Sequence, residues 1–317
     1  MRYIRQEQFS KIGKENQEKL LKATVSIVGI GALGTTVLDI LSRAGIGRIK
    51  IIDRDIIELN NLHRQILFTE EDLGKPKVAV AKEKILQINS EINIEEHLID
   101  LDYDNIDLIK SDLIIDCTDN IYTRFLINEY SRKNNIPWIY ASVIGSRGMT
   151  MNVTSETPCF SCIFKEPGQP LDTCDTEGIL NTVPHALAAI QATEAIKILT
   201  DQDYSKELIH YNLWNNEITK VKVKKSNECT VCNGKYKYLE GKKSRGVIKI
   251  CGSCNYQIKI ENVNMLDLFN KLNKLNSIKT TEDCLILPNV IFFKSGRALV
   301  KAKTKEKAKA IVDRYLG

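Results

Sequence analysis

Ala23-Thr-Val-Ser-Ile-Val-Gly-Ile-Gly-Ala-Leu-Gly34 is the stretch whose reading decides the fold. Its first half is a short β-branched run, the pattern of a buried strand. The run enters the glycine turn Gly29-Ile-Gly-Ala-Leu-Gly34, and Thr35 to Arg43 continues at helical spacing. A strand, a glycine turn and a helix in that order let backbone N–H groups and the helix N-terminus approach phosphates closely. Gly29, Gly31 and Gly34 are therefore read as nucleotide-binding positions.

Working outward, a second strand is predicted over Arg48-Ile-Lys-Ile-Ile-Asp53 and ends on an acid 19 residues after Gly34. That spacing suits a carboxylate on ribose hydroxyls. A dinucleotide-dependent dehydrogenase would share these features, but not the charged stretch that follows, Asp53-Arg-Asp-Ile-Ile-Glu-Leu-Asn-Asn-Leu-His-Arg-Gln65. Gly74-Lys-Pro-Lys77 then leads into a predicted helix through Ile88. Arg64 and Lys77 offer permanent cations for a triphosphate, one as a planar fork and one as a point charge, and both would stabilise charge on a transferring phosphate. The strand Asp112-Leu-Ile-Ile-Asp-Cys-Thr118 runs into Asp119-Asn120 at the carboxyl edge of the sheet, where ligands of α/β folds bind. Asp119 there either serves a magnesium ion or caps the helix starting near Ile121.

With 317 residues, 43% hydrophobic and 27% charged, the chain can bury one large core and a smaller second one. It has no apolar run of the roughly 18 residues a membrane span needs, and Met1 to Gly13 is too charged for a secretory signal. A soluble, cytoplasmic protein is expected. Residues 235–317 carry 18 Lys+Arg against 7 Asp+Glu, a net of +11, which leaves 27 basic and 33 acidic residues, net −6, before them. That shift marks a boundary near Cys232 to Tyr236 and predicts domains 1–234 and 235–317. The basic tail is either a solvated face or a surface attractive to an acidic protein; a nucleic-acid partner is not expected.

Arg2-Tyr-Ile-Arg-Gln6, the Gly29 to Gly34 turn, Asn60-Asn-Leu-His-Arg-Gln65, Gly74-Lys-Pro-Lys77 and Asp116-Cys-Thr-Asp-Asn120 together resemble the ThiF/MoeB/HesA family, relatives of ubiquitin-activating enzymes, over roughly residues 1 to 234. The resemblance implies a Rossmann-like α/β fold whose mostly parallel sheet continues in antiparallel strands. It also implies a homodimer that binds ATP and Mg2+, accepts the Gly-Gly tail of a ubiquitin-like sulfur-carrier protein and forms an acyl-adenylate with release of pyrophosphate. Carried over by position, Asp53 would hold the ribose, Asp55 and Asn61 would line the pocket, and Arg64 and Lys77 would neutralise phosphates. Asp119 would coordinate magnesium, and Arg5 of the opposite subunit would reach into the site. Arg2, Arg5 and Lys11 also suit an ordinary basic helix.

Pro158-Cys-Phe-Ser-Cys162 and Glu228-Cys-Thr-Val-Cys232 each present two thiols from a tight turn. Cys159, Cys162, Cys229 and Cys232 are read as a closed, structural zinc site, with a strength on the order of 10 kcal/mol. The 66 residues between the pairs exceed usual finger spacing, so the family resemblance supports part of this reading. Cys174 lies in the Pro/Gly-punctuated stretch Glu166 to Gly178, a predicted loop. It resembles the family's crossover-loop cysteine, which in some members joins the carrier covalently, with sulfur otherwise arriving from a separate donor. Asp172, Asp175 and Glu177 raise a neighbouring thiol's pKa, so an unreactive loop thiol is the competing reading. Cys251-Gly-Ser-Cys254 has no partner pair in the tail and reads as two thiols at a strand end.

Val183 to Leu199 is predicted as a buried helix, with His185 a hydrogen-bonding residue at its start. A carboxylate already ionised at pH 7 needs no general base, so neither His185 nor His63 is given a catalytic role. The tail is predicted as a small α+β domain: strands at Gly246 to Ile250, Gln257 to Glu261, Leu285 to Leu287, Val290 to Phe293 and Ala298 to Lys301, a helix from Asn264 to Leu275 and another from Thr304. It resembles the extra C-terminal module of some family members. Three alternatives share the fold: a dehydratase adenylating a carboxylate on modified transfer RNA, a peptide-adenylating enzyme, and a non-catalytic scaffold. Intact Arg64, Lys77 and Asp119 disfavour the last.

Overall fold

The alternation of short β-branched runs with helical stretches places helices against both faces of a parallel sheet. In the computed structural model, residues 2–166, 177–243, 248–250, 255–260, 264–272, 279–280, 284–294 and 296–316 are described. They include two helices, α1 (Ile4–Glu7) and α2 (Gly13–Lys22), then β1 (Thr24–Val28), α3 (Ala32–Ala44), β2 (Arg48–Asp53), α4 (Lys77–Ile88), β3 (Asn93–Leu98), β4 (Leu113–Asp116), α5 (Ile121–Asn134) and β5 (Trp138–Ile144). The chain continues through β6 (Arg147–Val153), α6 (Phe160–Ile163), α7 (Thr182–Leu199), β7 (Leu208–Asn212) and β8 (Glu217–Val221).

Among the described residues these strands form one sheet in the order β3-β2-β1-β4-β5-β6-β7-β8. The first five run parallel, and β6 to β8 continue the sheet antiparallel. β1 pairs with β2 on one side and β4 on the other, with Val25 opposite both Ile49 and Leu113. The strand order reverses there, and the carboxyl ends of β1 and β4 open the crevice where such folds bind ligands. The expected α/β class and its antiparallel continuation are both present.

One face of the sheet is covered by α3, α4 and α7, whose Val37, Leu41, Ala81, Ile85, Ala188 and Ala192 join a core with Val25 and Ile27. The small residues of α7 let it pack closely, as its sequence predicts. The other face carries Trp138, Tyr140 and Phe160 beside Phe125 of α5 and two of the C-x-x-C cysteines.

This first compact unit runs from Met1 to Lys243, past the charge shift at Cys232 to Tyr236. The reason is Glu129, a buried carboxylate that accepts the backbone N–H groups of Lys237 (3.0 Å), Tyr238 (2.8 Å) and Leu239 (3.0 Å). The Tyr238 ring then stacks on Phe125 at 5.3 Å.

The second unit, Ser244–Gly317, has an antiparallel sheet. Its elements are β9 (Ile248–Ile250), β10 (Asn255–Lys259), α8 (Met265–Leu272), β11 (Lys279–Thr280), β12 (Cys284–Leu287), β13 (Val290–Phe293), β14 (Arg297–Lys301) and α9 (Lys305–Leu316). The strand order is β11-β12-β13-β14-β10-β9. Phe269, Leu285, Phe292, Val300 and Val312 share its core. Cys251 and Cys254 lie outside the described residues. No described helix is long and apolar enough to cross a membrane.

Candidate active site

The three glycines of the turn are required for different reasons. Gly29 has φ +92°, and a Cβ there would stand 2.8 Å from the Cys117 carbonyl oxygen on the neighbouring strand end. A Cβ on Gly34 would fall 1.9 Å from the Gly29 carbonyl oxygen. Both are glycine because the backbone packs on itself. Gly31 differs: a Cβ there would meet only Gln65 Nε2, at 3.9 Å. Gly31 starts α3, and no side chain among the described residues caps that N-terminus. The turn thus leaves room beside backbone N–H groups that favour an anion.

The acid at the end of β2 organises this turn. Asp53 Oδ2 accepts the Ile30 N–H at 2.6 Å and Oδ1 accepts the Asp55 N–H at 2.8 Å. Burial pushes the Asp53 carboxyl above its ordinary pKa, with Lys77 opposing and Asp55 adding to the rise. Lys77, at the start of α4, places Nζ 3.4 Å from Asp55 Oδ2. Burial alone would lower the Lys77 pKa, but Asp55, Asp53 and Asp119 outweigh it and raise it. The side chain is a buried ammonium in contact with Asp55 and in the field of Asp53 and Asp119. Sequence reading missed Arg54, a further buried cation whose Nη1 lies 3.1 Å from Asp100 Oδ1 and whose Nε lies 3.7 Å from Asp55 Oδ1.

The 59–65 segment supplies Asn61, Arg64 and Gln65. Asn61 is spent largely on its own turn: Oδ1 accepts from the Glu58 N–H at 3.2 Å, and Nδ2 donates to Asn60 Oδ1 at 2.8 Å. Arg64 is half-buried and donates from Nη1 to the Asn60 carbonyl at 2.7 Å. The same Nη1 lies 2.8 Å from His63 Nε2. Burial and then the Arg64 charge lower the His63 pKa, so His63 accepts as a neutral ring.

At the end of β4, the fully buried Asp116 accepts the Thr118 N–H (2.9 Å) and hydroxyl (2.6 Å) on Oδ1. Its Oδ2 accepts from Arg124 Nε at 3.1 Å. Arg124 also donates to the carbonyls of Thr118 and Ala141, and its guanidinium lies over the Tyr140 ring. This network fixes the backbone that presents Asp119. The two sequence readings of Asp119 separate here. Asn120 caps α5, its Oδ1 accepting from the N–H groups of Tyr122 (2.9 Å) and Thr123 (3.3 Å). Asp119 is exposed and not spent as that cap.

Arg5 sits elsewhere in the chain. It is exposed and donates from Nη1 to Gln8 Oε1 at 3.2 Å. Its neighbour Gln6 donates to the Ala44 carbonyl at 2.9 Å, at the far end of α3. At 1.5 Å per residue the helix puts about 20 Å between that end and Gly31. One chain therefore does not bring Arg5 to its own glycine turn. Cys174 lies outside the described residues. His185 bonds through Nδ1 to the Thr36 hydroxyl at 2.7 Å, linking α7 to α3 near the helix start, and burial lowers its pKa.

The four cysteines converge, as the two C-x-x-C turns together with the family resemblance imply. Cys159 Sγ lies 3.7 Å from Cys162, 3.5 Å from Cys229 and 3.5 Å from Cys232, and Cys162 lies 3.6 Å from Cys232. Tetrahedral ligands at about 2.3 Å from a zinc ion would stand roughly 3.8 Å apart, so the cluster is dimensioned to hold a metal ion.

Comparison with known proteins places the fold in a family. A relative described as a sulfur carrier protein ThiS adenylyltransferase, from Bacillus subtilis (strain 168), is 33% identical over 100% of this chain and 99% of its own length. The match therefore includes the second unit. A protein of the same description from Escherichia coli (strain K12) is 34% identical over 74% of this chain and 95% of its own. Among solved structures, E. coli MccB with MccA-N7isoASN aligns with TM-score 0.66 and 28% identity, covering 73% of this chain and 75% of that one. The ThiF family model matches residues 3–231, spanning the glycine turn, the acid and lysine cluster and the first cysteine of the second C-x-x-C pair, and the chain belongs to the ThiF family.

Proposed function

We propose that this chain is an ATP-dependent adenylyltransferase acting on the C-terminal glycine of a ubiquitin-like sulfur-carrier protein with a Gly-Gly tail, working in the cytoplasm as a homodimer. The observation that carries the proposal is Lys77, buried with its ammonium 3.4 Å from Asp55, whose N–H is held by the same Asp53 carboxylate that accepts the Ile30 N–H of the glycine turn. Asp55 already has Arg54 as a cationic partner, with Nε 3.7 Å away, so a second buried cation against it is more than that carboxylate needs for itself. With a triphosphate bound it becomes a positioned counter-charge.

In the reaction, an oxygen of the carrier carboxylate attacks the α-phosphorus of ATP, and the bond to the α,β-bridging oxygen breaks. Pyrophosphate leaves with the electron pair, and the mixed anhydride stays on the carrier. The enzyme contributes positioning and electrostatics rather than a nucleophile. The α3 N-terminus and Lys77 hold phosphate oxygens, with Arg64 adding a second cation, and Asp53, Asp55 and Asn61 shape the ribose side. Asp119 is the residue to hold Mg2+, which when bound supplies neutralisation of the phosphate charge. Arg5 of the partner subunit completes the site, which accounts for its distance from the glycine turn of its own chain. Cys159, Cys162, Cys229 and Cys232 would hold Zn2+ with every position filled, a structural role. Cys174, or a separate sulfur donor, acts after adenylation.

The likeness to MccB favours one second reading, adenylation of a peptide. ATP–pyrophosphate exchange with magnesium separates the two. Exchange that requires a Gly-Gly-ended ubiquitin-fold protein and Asp119 is the expected outcome. Exchange with a short peptide or a transfer RNA but with no carrier would overturn the substrate assignment.

A further inference from the structure

Gln65 is 3% exposed, and its Oε1 is buried with no hydrogen-bond partner among the described residues. An amide oxygen left without a partner in a core is destabilising, so its retention asks for a reason. The backbone supplies part of it. The Gln65 N–H donates to the Asn61 carbonyl at 3.0 Å, which locks the residue to the 59–61 turn and fixes the start of its side chain. The other end of the amide faces the glycine turn, where Nε2 alone stands within 4 Å of the place a Gly31 Cβ would occupy. Backbone N–H groups of an uncapped helix border that space, so the anion they favour would find the Nε2–H donor opposite them.

We propose that Gln65 is a phosphate-binding and positioning residue: its carboxamide Nε2 donates to a phosphate oxygen held at the N-terminus of α3, forming the wall opposite Gly31. This inference rests on the nucleotide reading of the site. A neutral donor suits this wall, because Lys77 and Arg64 already supply charge. The amide adds direction, constraining how the phosphate chain lies relative to the incoming carboxylate. The Nε2 donor gains its partner only when nucleotide is bound, and the unpaired Oε1, which a phosphate cannot satisfy, is the standing cost of keeping that donor aimed.

Isothermal titration of the full chain with adenosine, AMP and magnesium ATP tests this, using Gln65→Met, which keeps length and packing, and Gln65→Glu, which replaces the donor with a negative charge. A hydrogen bond to a charged group predicts that Gln65→Met binds AMP and ATP about ten-fold or more weakly while adenosine affinity is unchanged. Gln65→Glu should be weaker still. Thermal unfolding of Gln65→Met should occur at the wild-type temperature or above it, because the variant removes an unsatisfied buried oxygen. Wild-type affinity for AMP and ATP in Gln65→Met, an equal loss for adenosine, or a clear fall in its unfolding temperature would overturn the proposal and make Gln65 a structural residue. Failure of the wild-type chain to bind any of the three would instead overturn the nucleotide reading beneath it.

Discussion

Lys77 meets Asp55 twice: its ammonium lies 3.4 Å from the carboxylate, and its backbone N–H donates to the Asp55 carbonyl at 3.0 Å. The second contact fixes the start of α4, so the first is made by a side chain with little freedom. Lys77→Met should lower the exchange rate by about 100-fold to 1,000-fold, the range for removing one positioned charge-stabilising donor. Asp55 is only partly buried, so water takes over much of its solvation, and the stability cost should be about 1–2 kcal/mol. Steady-state exchange and urea unfolding measure the two effects separately; a variant with full activity would remove Lys77 from the mechanism.

Neighbouring positions should divide function from stability. Asn120→Ala removes the α5 cap and should cost about 1 kcal/mol, seen as a fall of roughly 2–4 °C in Tm, while activity keeps its magnesium dependence. Asp119→Asn should leave Tm unchanged and reduce magnesium-dependent exchange by about 100-fold or more. Reversed outcomes would show that the capping role belongs to Asp119.

The glycines separate in the same way. Gly34→Ala drives a methyl into the Gly29 carbonyl, and should destabilise by at least about 3 kcal/mol. Gly31→Ala meets no backbone and should fold normally, yet bind ATP about ten-fold or more weakly, because the methyl enters the phosphate space. Thermal unfolding with and without ATP reads both.

Metal analysis of the purified chain should find one zinc per protomer. Cys162→Ser should lose most of it and lower Tm, whereas Cys117→Ser, a buried thiol outside the cluster, should keep the metal. A chain that holds zinc equally well in both variants would refute the four-cysteine site.

Much of this was legible along the chain because the signals are local. A glycine turn after a β-branched strand, an acid at a fixed distance and paired C-x-x-C turns report backbone needs or ligand chemistry within a few residues. The α/β class followed from the same periodicities. What stayed hidden depends on closure of the sheet. Arg54 reads as one more charge until β3 brings Asp100 beside it, and Arg124 reads as a surface residue of an amphipathic helix until Asp116 and Ala141 converge on it. Asp119 stayed open between magnesium ligand and helix cap because Asp caps well, and only the Asn120 side chain on the N–H groups of Tyr122 and Thr123 shows which residue takes the cap. The orphan oxygen of Gln65 has no sequence signature at all.

Glu129 has a mechanical consequence. Its single carboxylate grips three consecutive backbone amides just after the second cysteine turn, so the chain that follows Cys232 is anchored to α5 and not by the cysteine cluster alone. The carboxylate acts as a clamp: fraying of this segment from the Lys243 end has three hydrogen bonds to break before it loosens Cys232.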